Sequence, residues 1–377
     1  MTIDKALILT DGKAGHENQS KAFALALGLA PVLVEVHFKS KFHKALSYLC
    51  DHLGVHTTAV FDGDPLRRIG ESANRRIDEF SVVLGAGSGT FYAAKTLAKK
   101  LGVKCGVVLY PRGYRLSTFD CVLAPTFDRP AKAPNIIEIP ANLVAADKEF
   151  YAKGVAAFRE HYAKVNGCEV PDGDAVAVIV GGPNKCSTMS ADWLQRELDA
   201  IFSQESAYDP SIRKFDDSKD QKLHFYVTTS RRTPPEVEAL VDRYPWDYKL
   251  LYSKDHFNPI PAFVQLAKKL YVTAESTGML SEACTFGAAE VHALDNLEPG
   301  QHKFRRFVEN LRRDGYLDGS RKVDLSAQFT AAKRLLAMRG AAAKLSLPGK
   351  ICGVKPVCNR LQGVSFSRSL KTTPCSI

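Results

Sequence analysis

The feature that most restricts the fold of this chain is a repeated local order. A short β-rich apolar burst runs into a loop of glycines and hydroxyl residues, and then into an amphipathic segment of ten or so residues. In the first half, residues 6–10, 31–36, 81–85, 105–109, 121–124 and 136–139 read as strands, with helices over 18–28 and 91–101 stopped by Gly28 and Gly102. A long helical pattern over 148–165 ends in the turn-rich stretch 166–174. The order then starts again, with strands over 175–180, 225–229, 248–252 and 270–272 and helices over 191–202, 234–243, 259–269 and 279–286. Strands separated by helix-length connections are βαβ units, which build parallel sheets.

The expected fold class is therefore α/β, with two Rossmann-like doubly wound domains facing across a cleft. A length of 377 residues suits two such domains better than one. The expected division is 1–166 for the first domain, 167–338 for the second, with the last helices packing back on the first, and 339–377 for a basic, mobile tail. Residues 203–221 read as a surface insertion.

Charge and cysteine usage exclude several function classes. Of the net charge of +10, residues 339–377 supply +7 through Arg339, Lys344, Lys350, Lys355, Arg360, Arg368 and Lys371, which leaves +3 for the body. So near-balanced a body is not a nucleic-acid groove, and no nucleic-acid partner is expected. The tail itself suits either a solvated segment or a peripheral contact with an anionic membrane. Nine cysteines are scattered without CxxC spacing, which predicts neither a zinc site nor a disulfide framework. No apolar run reaches bilayer length, and residues 1–13 lack the pattern of a signal peptide. The expected location is cytoplasmic, peripheral at the inner face of the membrane if the tail makes that contact.

In open α/β sheets ligands bind beyond the carboxyl ends of the strands, so the loops after the strands are the places to search. The first, residues 10–19, sets Gly12 and Gly15 around a turn, with His16 at a helix start, Asp11 able to orient it, and Gln19 one turn on. A histidine so held can take a proton from a hydroxyl near neutral pH; the alternative is that His16 merely caps the helix. The second loop carries Gly87, Ser88 and Thr90, an anion or sugar cradle or simply a tight strand-to-helix turn. It is neither a Walker A motif nor a full dinucleotide fingerprint.

In the second half, Gly181, Gly182 and Asn184 follow the strand equivalent to the first. Ser230, Arg231 and Arg232 precede a helix, where guanidinium forks and the dipole act on the same phosphate charge; two solvated arginines are the alternative. Ser276, Thr277 and Gly278 open another helix, followed by Met279, Ser281 and Glu282. Phosphates on that helix end would put a ribose within reach of Glu282, against the alternative of a capping serine and a surface glutamate.

Together these segments resemble the mitochondrial fission ELM family, whose bacterial members are often labelled nucleoside-diphosphate-sugar epimerases. The resemblance rests on 10–19, Gly181-Gly182-Pro183, Thr229 to Pro234, Asn258-Pro259, and Val272 to Ser276 with Met279, Ser281, Glu282 and Ala283. It extends to Phe119 to Val122 with Pro125, Asp128-Arg129-Pro130 and Lys303 to Phe307, and so covers about residues 5–318. Two departures stand out: Glu275 where the pattern has Asp, and 287–290 without the usual Gly-Lys-Pro.

The family is related to GT-B glycosyltransferases. The resemblance therefore implies a metal-independent transferase, without a cofactor, that moves a sugar from a nucleoside-diphosphate-sugar to a hydroxyl of an envelope glycan or lipid-linked acceptor. His16 would be the base with Asp11 behind it, and Gly12, Gly15, Gln19, Gly87, Ser88 and Thr90 would lie on the acceptor side. A nucleotide-sugar 2-epimerase, with Asp11 and Glu17 as its carboxylates, and a non-catalytic membrane-associated adaptor are the other implied functions.

Overall fold

The computed structural model describes residues 4–65, 67, 80–205, 208–209, 214–215, 223–300 and 302–338. The first sheet comprises β1 (Lys5–Thr10), β2 (Ala30–Glu35), β3 (Phe80–Ala86), β4 (Lys104–Val108), β5 (Cys121–Pro125) and β6 (Ile136–Ile139), all parallel, in the order β2-β1-β3-β4-β5-β6. Helices α1 (Ala14–Leu27), α2 (Lys41–His52) and α3 (Phe91–Leu101) accompany it. Gly28 and Gly102 take the left-handed conformation that ends α1 and α3, at φ of 81° and 67°.

The second sheet is built from β7 (Asp174–Val180), β10 (Leu223–Thr229), β11 (Tyr248–Leu250), β12 (Ala267–Thr273) and β13 (Glu290–Leu294), again parallel, in the order β11-β10-β7-β12-β13. Between β7 and β10 the two-residue strands β8 (Tyr208–Asp209) and β9 (Lys214–Phe215) pair antiparallel; most of the remaining expected insertion, like the tail 339–377, lies outside the described residues. Helices α4 (Lys148–Asn166), α5 (Ala191–Glu205), α6 (Pro235–Val241), α7 (Ile260–Leu266), α8 (Thr277–Thr285), α9 (Lys303–Arg313) and α10 (Ser326–Met338) complete the chain. The molecule is thus α/β with two Rossmann-like parallel halves.

Strands buried on both faces explain the unbroken apolar runs: Leu7, Ile8, Val83, Leu84, Val178 and Val180 are all at most 1% exposed. Three helices tie the halves together, α4, α10 and α9, the last with its Phe307 ring 5.2 Å from that of Phe127. The chain leaves the first sheet through α4, which packs on the second: Phe158 is fully buried, with its ring 4.8 Å from Tyr248 and 5.8 Å from Phe263. α10 comes back and lies against β4, β5, β6 and α1. The packing therefore crosses the sequence division at 166.

Two local expectations are corrected. α7 stops at Leu266 instead of continuing to 269, because from Ala267 the backbone pairs with β7, and a central strand's ladder outweighs helix propensity. α2, which strand-and-helix patterning did not indicate, is a full three turns.

Candidate active site

In each sheet the strand order reverses direction at one point, between β1 and β3 and between β7 and β12, and crevices open there. The loops beyond those four strands hold most of the residues singled out above.

At the first reversal His16 lies in the first turn of α1, which begins at Ala14, four residues earlier than the sequence pattern suggests. The N-cap is Lys13, so His16 is no cap. Its Nδ1 is 3.0 Å from Oδ1 of Asp11, whose other oxygen accepts from Lys13 Nζ at 2.6 Å. Burial raises the Asp11 carboxyl, but hydrogen bonds and charge from Lys13 and His16 outweigh it and hold the group below its ordinary value. A carboxylate on Nδ1 leaves Nε2 as the ring nitrogen free for a proton.

The second glycine loop supports this pair. Gly87, at φ +82°, lies flat against the His16 ring, and a Cβ there would overlap it. A Cβ on Gly89 would come within 2.7 Å of Asp11. Ser88 accepts a hydrogen bond from Lys44 Nζ at 2.8 Å, and Thr90 is buried with its hydroxyl on the carbonyls of Ala86 and Gly87. Gly12, at φ +78°, donates its N–H to Thr10 Oγ1. Gly12, Gly87, Ser88 and Thr90 therefore shape and back the dyad and do not line the cleft cavity described below.

At the second reversal the glycines serve packing in the same way. Glu275, 2% exposed, accepts from the Gly182 N–H at 2.8 Å, the Thr273 hydroxyl at 3.1 Å and the Asn296 amide at 2.8 Å. Gly181 donates to Thr273, and Asn184 orders its own turn by accepting from Cys186 N. The amides of Gly181 and Gly182 are thus engaged within the protein, which corrects the expectation that they face a donor. A Cβ at either position would overlap Glu275 or the Arg232 carbonyl.

Ser276 is the N-cap of α8 and makes no side-chain cap, so the amides of Thr277, Gly278 and Met279 have no acceptor among the described residues. Ser281 is fully buried, accepts from Asn142 N at 3.0 Å and donates to the Thr277 carbonyl, so it fixes the connection between the halves instead of meeting a ligand. Met279 packs on the core.

These parts meet in one cavity of about 630 Å³ between the halves. Gly15, His16 and Gln19 line it from the first half, and Thr277, Gly278, Glu282 and Lys303 from the second. Gln19 is buried, and its Oε1 has no partner, which leaves an acceptor for a ligand donor. One Glu282 oxygen accepts from the Tyr151 hydroxyl at 3.0 Å, and burial holds its carboxyl above the ordinary value despite that bond. Asp128, also on the cavity wall, is likewise pushed up by burial, against the opposing charges of Lys303, Arg112 and Arg306.

Asp128 and Lys303 were not identified as site residues from sequence, although both stand in segments that carry the family resemblance. Leu109, also on the wall, holds φ +74°, a strained backbone for a branched residue. Ser230, Arg231 and Arg232 are elsewhere: Ser230 and Arg231 border a separate hollow of about 370 Å³ with Glu238 and Lys254. The guanidinium groups of Arg231 and Arg232 are exposed without a partner among the described residues. Among the described residues no group of three or more His, Cys, Asp or Glu side chains is placed to hold a metal.

The family model described as Mitochondrial fission ELM1 matches residues 14–345. The chain belongs to the mitochondrial fission ELM1 family. No curated protein sequence matches this ELM1-family chain. Among solved structures, UDP-GlcNAc 2-epimerase from Neisseria meningitidis bound to UDP-GlcNAc is 11% identical with a TM-score of 0.46, over 88% of this chain and 98% of that one. ADP-heptose lps heptosyltransferase II from E. coli is 8% identical with a TM-score of 0.39, over 82% and 98%. A family 9 glycosyl transferase from Veillonella parvula is 10% identical with a TM-score of 0.34, over 89% and 98%.

Proposed function

We propose that this member of the family is a metal-independent glycosyltransferase of the GT-B type. It would move a sugar from a nucleoside-diphosphate-sugar to a hydroxyl of an envelope glycan or lipid-linked acceptor. The observation that carries the reading is the shared cavity, where the His16–Asp11 dyad of one half faces the uncapped start of α8 and Glu282 of the other. The free amides and positive end of α8 suit the diphosphate, and Glu282, with one oxygen held by Tyr151, offers the other to ribose hydroxyls. His16, with Nδ1 on Asp11, takes the acceptor proton through Nε2 as the glycosidic bond forms, and the diphosphate leaves with the charge balanced by α8 and Lys303. Arg231 and Arg232 do not line that cavity and take no part in this reading.

Epimerisation remains the second reading because of one observation. Two carboxyls raised by burial, Glu282 and Asp128, face the same cavity, as acid and base at a sugar carbon must. Asp11 and Glu17, the pair that the sequence offered for this role, do not line it. The test is a thermal-shift series with nucleoside diphosphates and nucleotide-sugars, in which ligand at a hundred times its Kd adds about 2.7 kcal/mol. A selective shift that Glu282→Ala abolishes supports a donor site. A new sugar nucleotide formed without acceptor replaces transfer by epimerisation, and absence of any shift, with or without acceptor glycan, refutes both.

A further inference from the structure

Helix α2 carries apolar residues on its outward side as well as on the side that meets the core. Its inward side sets Leu46, Tyr48 and Cys50 against the core beside two buried polar residues. Ser47 is fully buried with its hydroxyl 3.0 Å from that of Tyr114, and Asp51, 1% exposed, is paired with Lys95 at 2.7 Å. Its outward side carries a second apolar set: Phe42 is 71% exposed, Leu49 56%, and Leu53 at the C-cap 69%. At 3.6 residues per turn Phe42, Leu49 and Leu53 fall within an arc of about 40°. Val55, 46% exposed, continues the ridge, and Tyr92 fixes it there by donating to the Val55 carbonyl at 2.9 Å.

On α2 and the residues that flank it the exposed charge is basic. Between Val36 and Phe61 the chain has three lysines, Lys39, Lys41 and Lys44, and a single carboxylate, the buried Asp51. Lys100, exposed at the end of α3, adds a further cation beside the ridge through its contact with Thr58. The Glu35 carboxylate on the neighbouring strand is paired with His37 at 2.7 Å, and Asp62 and Asp64 follow only after the Phe38–Phe61 bridge. Exposed aromatic and leucine side chains beside lysines, with no exposed carboxylate on the helix, match the interface of a bilayer, where apolar groups enter the acyl boundary and ammonium groups meet phosphates.

We propose that α2 docks the protein on an anionic lipid bilayer, with Phe42, Leu49 and Leu53 inserted and Lys39 and Lys41 at the headgroups. Lys44 connects this surface to the cleft, since it holds Ser88 in the loop that supports His16. The inference does not depend on the reaction catalysed. It also differs from a membrane contact through the basic residues 339–377.

The test is flotation of the full-length protein with vesicles of equimolar phosphatidylglycerol and phosphatidylcholine, against phosphatidylcholine alone. Wild type is expected to float with the anionic vesicles and to be released by salt. Phe42→Ser, Leu49→Ser and Leu53→Ser together should lower partitioning roughly tenfold or more. The thermal transition should stay unchanged, because these side chains contribute little to the core. In a Phe42→Trp variant, emission should shift to the blue and be quenched by brominated lipid. Wild-type partitioning of the triple variant would overturn the proposal and move the contact to another part of the chain. A wild-type dimer that the triple variant dissociates, with no flotation, would overturn it in favour of a second copy on α2.

Discussion

Replacing Glu275 separates a structural carboxylate from a ligand-binding one, and the cost can be worked out from its partners. In Glu275→Ala three donors lose their acceptor. The Thr273 hydroxyl can turn to another oxygen, whereas the Gly182 N–H and one Asn296 N–H stay buried without a partner. Each such group costs about 1–3 kcal/mol, about 4 kcal/mol for the two, and the variant no longer has to bury a carboxylate, so the net loss is about 3 kcal/mol. With a urea m-value of about 2 kcal/mol/M for a half of this size, the second half should unfold roughly 1.5 M earlier. Glu275→Gln should behave differently. Its oxygen still accepts from Gly182, and its amide can donate to Asn296 Oδ1, which is buried without a partner, once the Asn296 amide turns over. Its loss should be about 1 kcal/mol or less. Urea titrations of the three proteins, followed by the fluorescence of Trp193 and Trp246, would measure both. Equal losses in Gln and Ala would refute the hydrogen-bond argument and give the charge itself the structural role.

Three further outcomes follow from the site and its surroundings. Because burial raises the folded-state pKa of Glu282, the native protein binds a proton more tightly than the unfolded chain, and stability is lost as pH rises from the ordinary value near 4.5 through the folded one. Glu282→Gln should therefore be more stable than wild type at pH 7, with the gain vanishing below about pH 4 in a melting series; a gain that persists in acid would contradict the assignment. Gly87→Ala has to displace the His16 ring and strain a backbone at φ +82°, so it should cost about 1–2 kcal/mol and change the reactivity of His16 toward diethyl pyrocarbonate. Wild-type reactivity would show that the ring does not rest on Gly87. Asp51→Asn leaves the Lys95 ammonium facing the Phe119 ring, 4.1 Å away, and should cost about 3–5 kcal/mol; Lys95→Met in the same protein should recover part of it, as urea midpoints would show.

The architecture was legible in the sequence because strands buried on both faces must be apolar without interruption, and glycine stops mark where helices end. Residues 91–101 and 136–139 are helix and strand over the ranges that the pattern gives. α2 was not legible for a physical reason. Periodicity arguments assume that the apolar residues of a helix gather on its inward face, and in α2 they lie on both: Leu46 and Cys50 pack inward beside the buried Ser47 and Asp51, which Tyr114 and Lys95 hold from distant parts of the chain, while Phe42 and Leu49 face outward.

The same limit applies to the site. A glycine after a strand announces that something approaches the backbone closely, without saying whether that is a ligand or the protein itself. At Gly87 it is the ring of His16, at Gly89 the carboxylate of Asp11, and at Gly181 that of Glu275, so all three glycines place functional or structural side chains and none is shown to face the cavity. The cavity is instead bounded by residues that need no special backbone, such as Gln19, Asp128, Glu282 and Lys303, and these come from elements as far apart as α1 and α9. What brings them together is long-range packing between the halves: α4 on the second sheet, α10 on the first, and α9 on residues 126–128 with the Phe307 ring 5.2 Å from that of Phe127. Local spacing could locate the strand ends at which a ligand would bind. It could not show that Asp128 and Glu282 would line the same space.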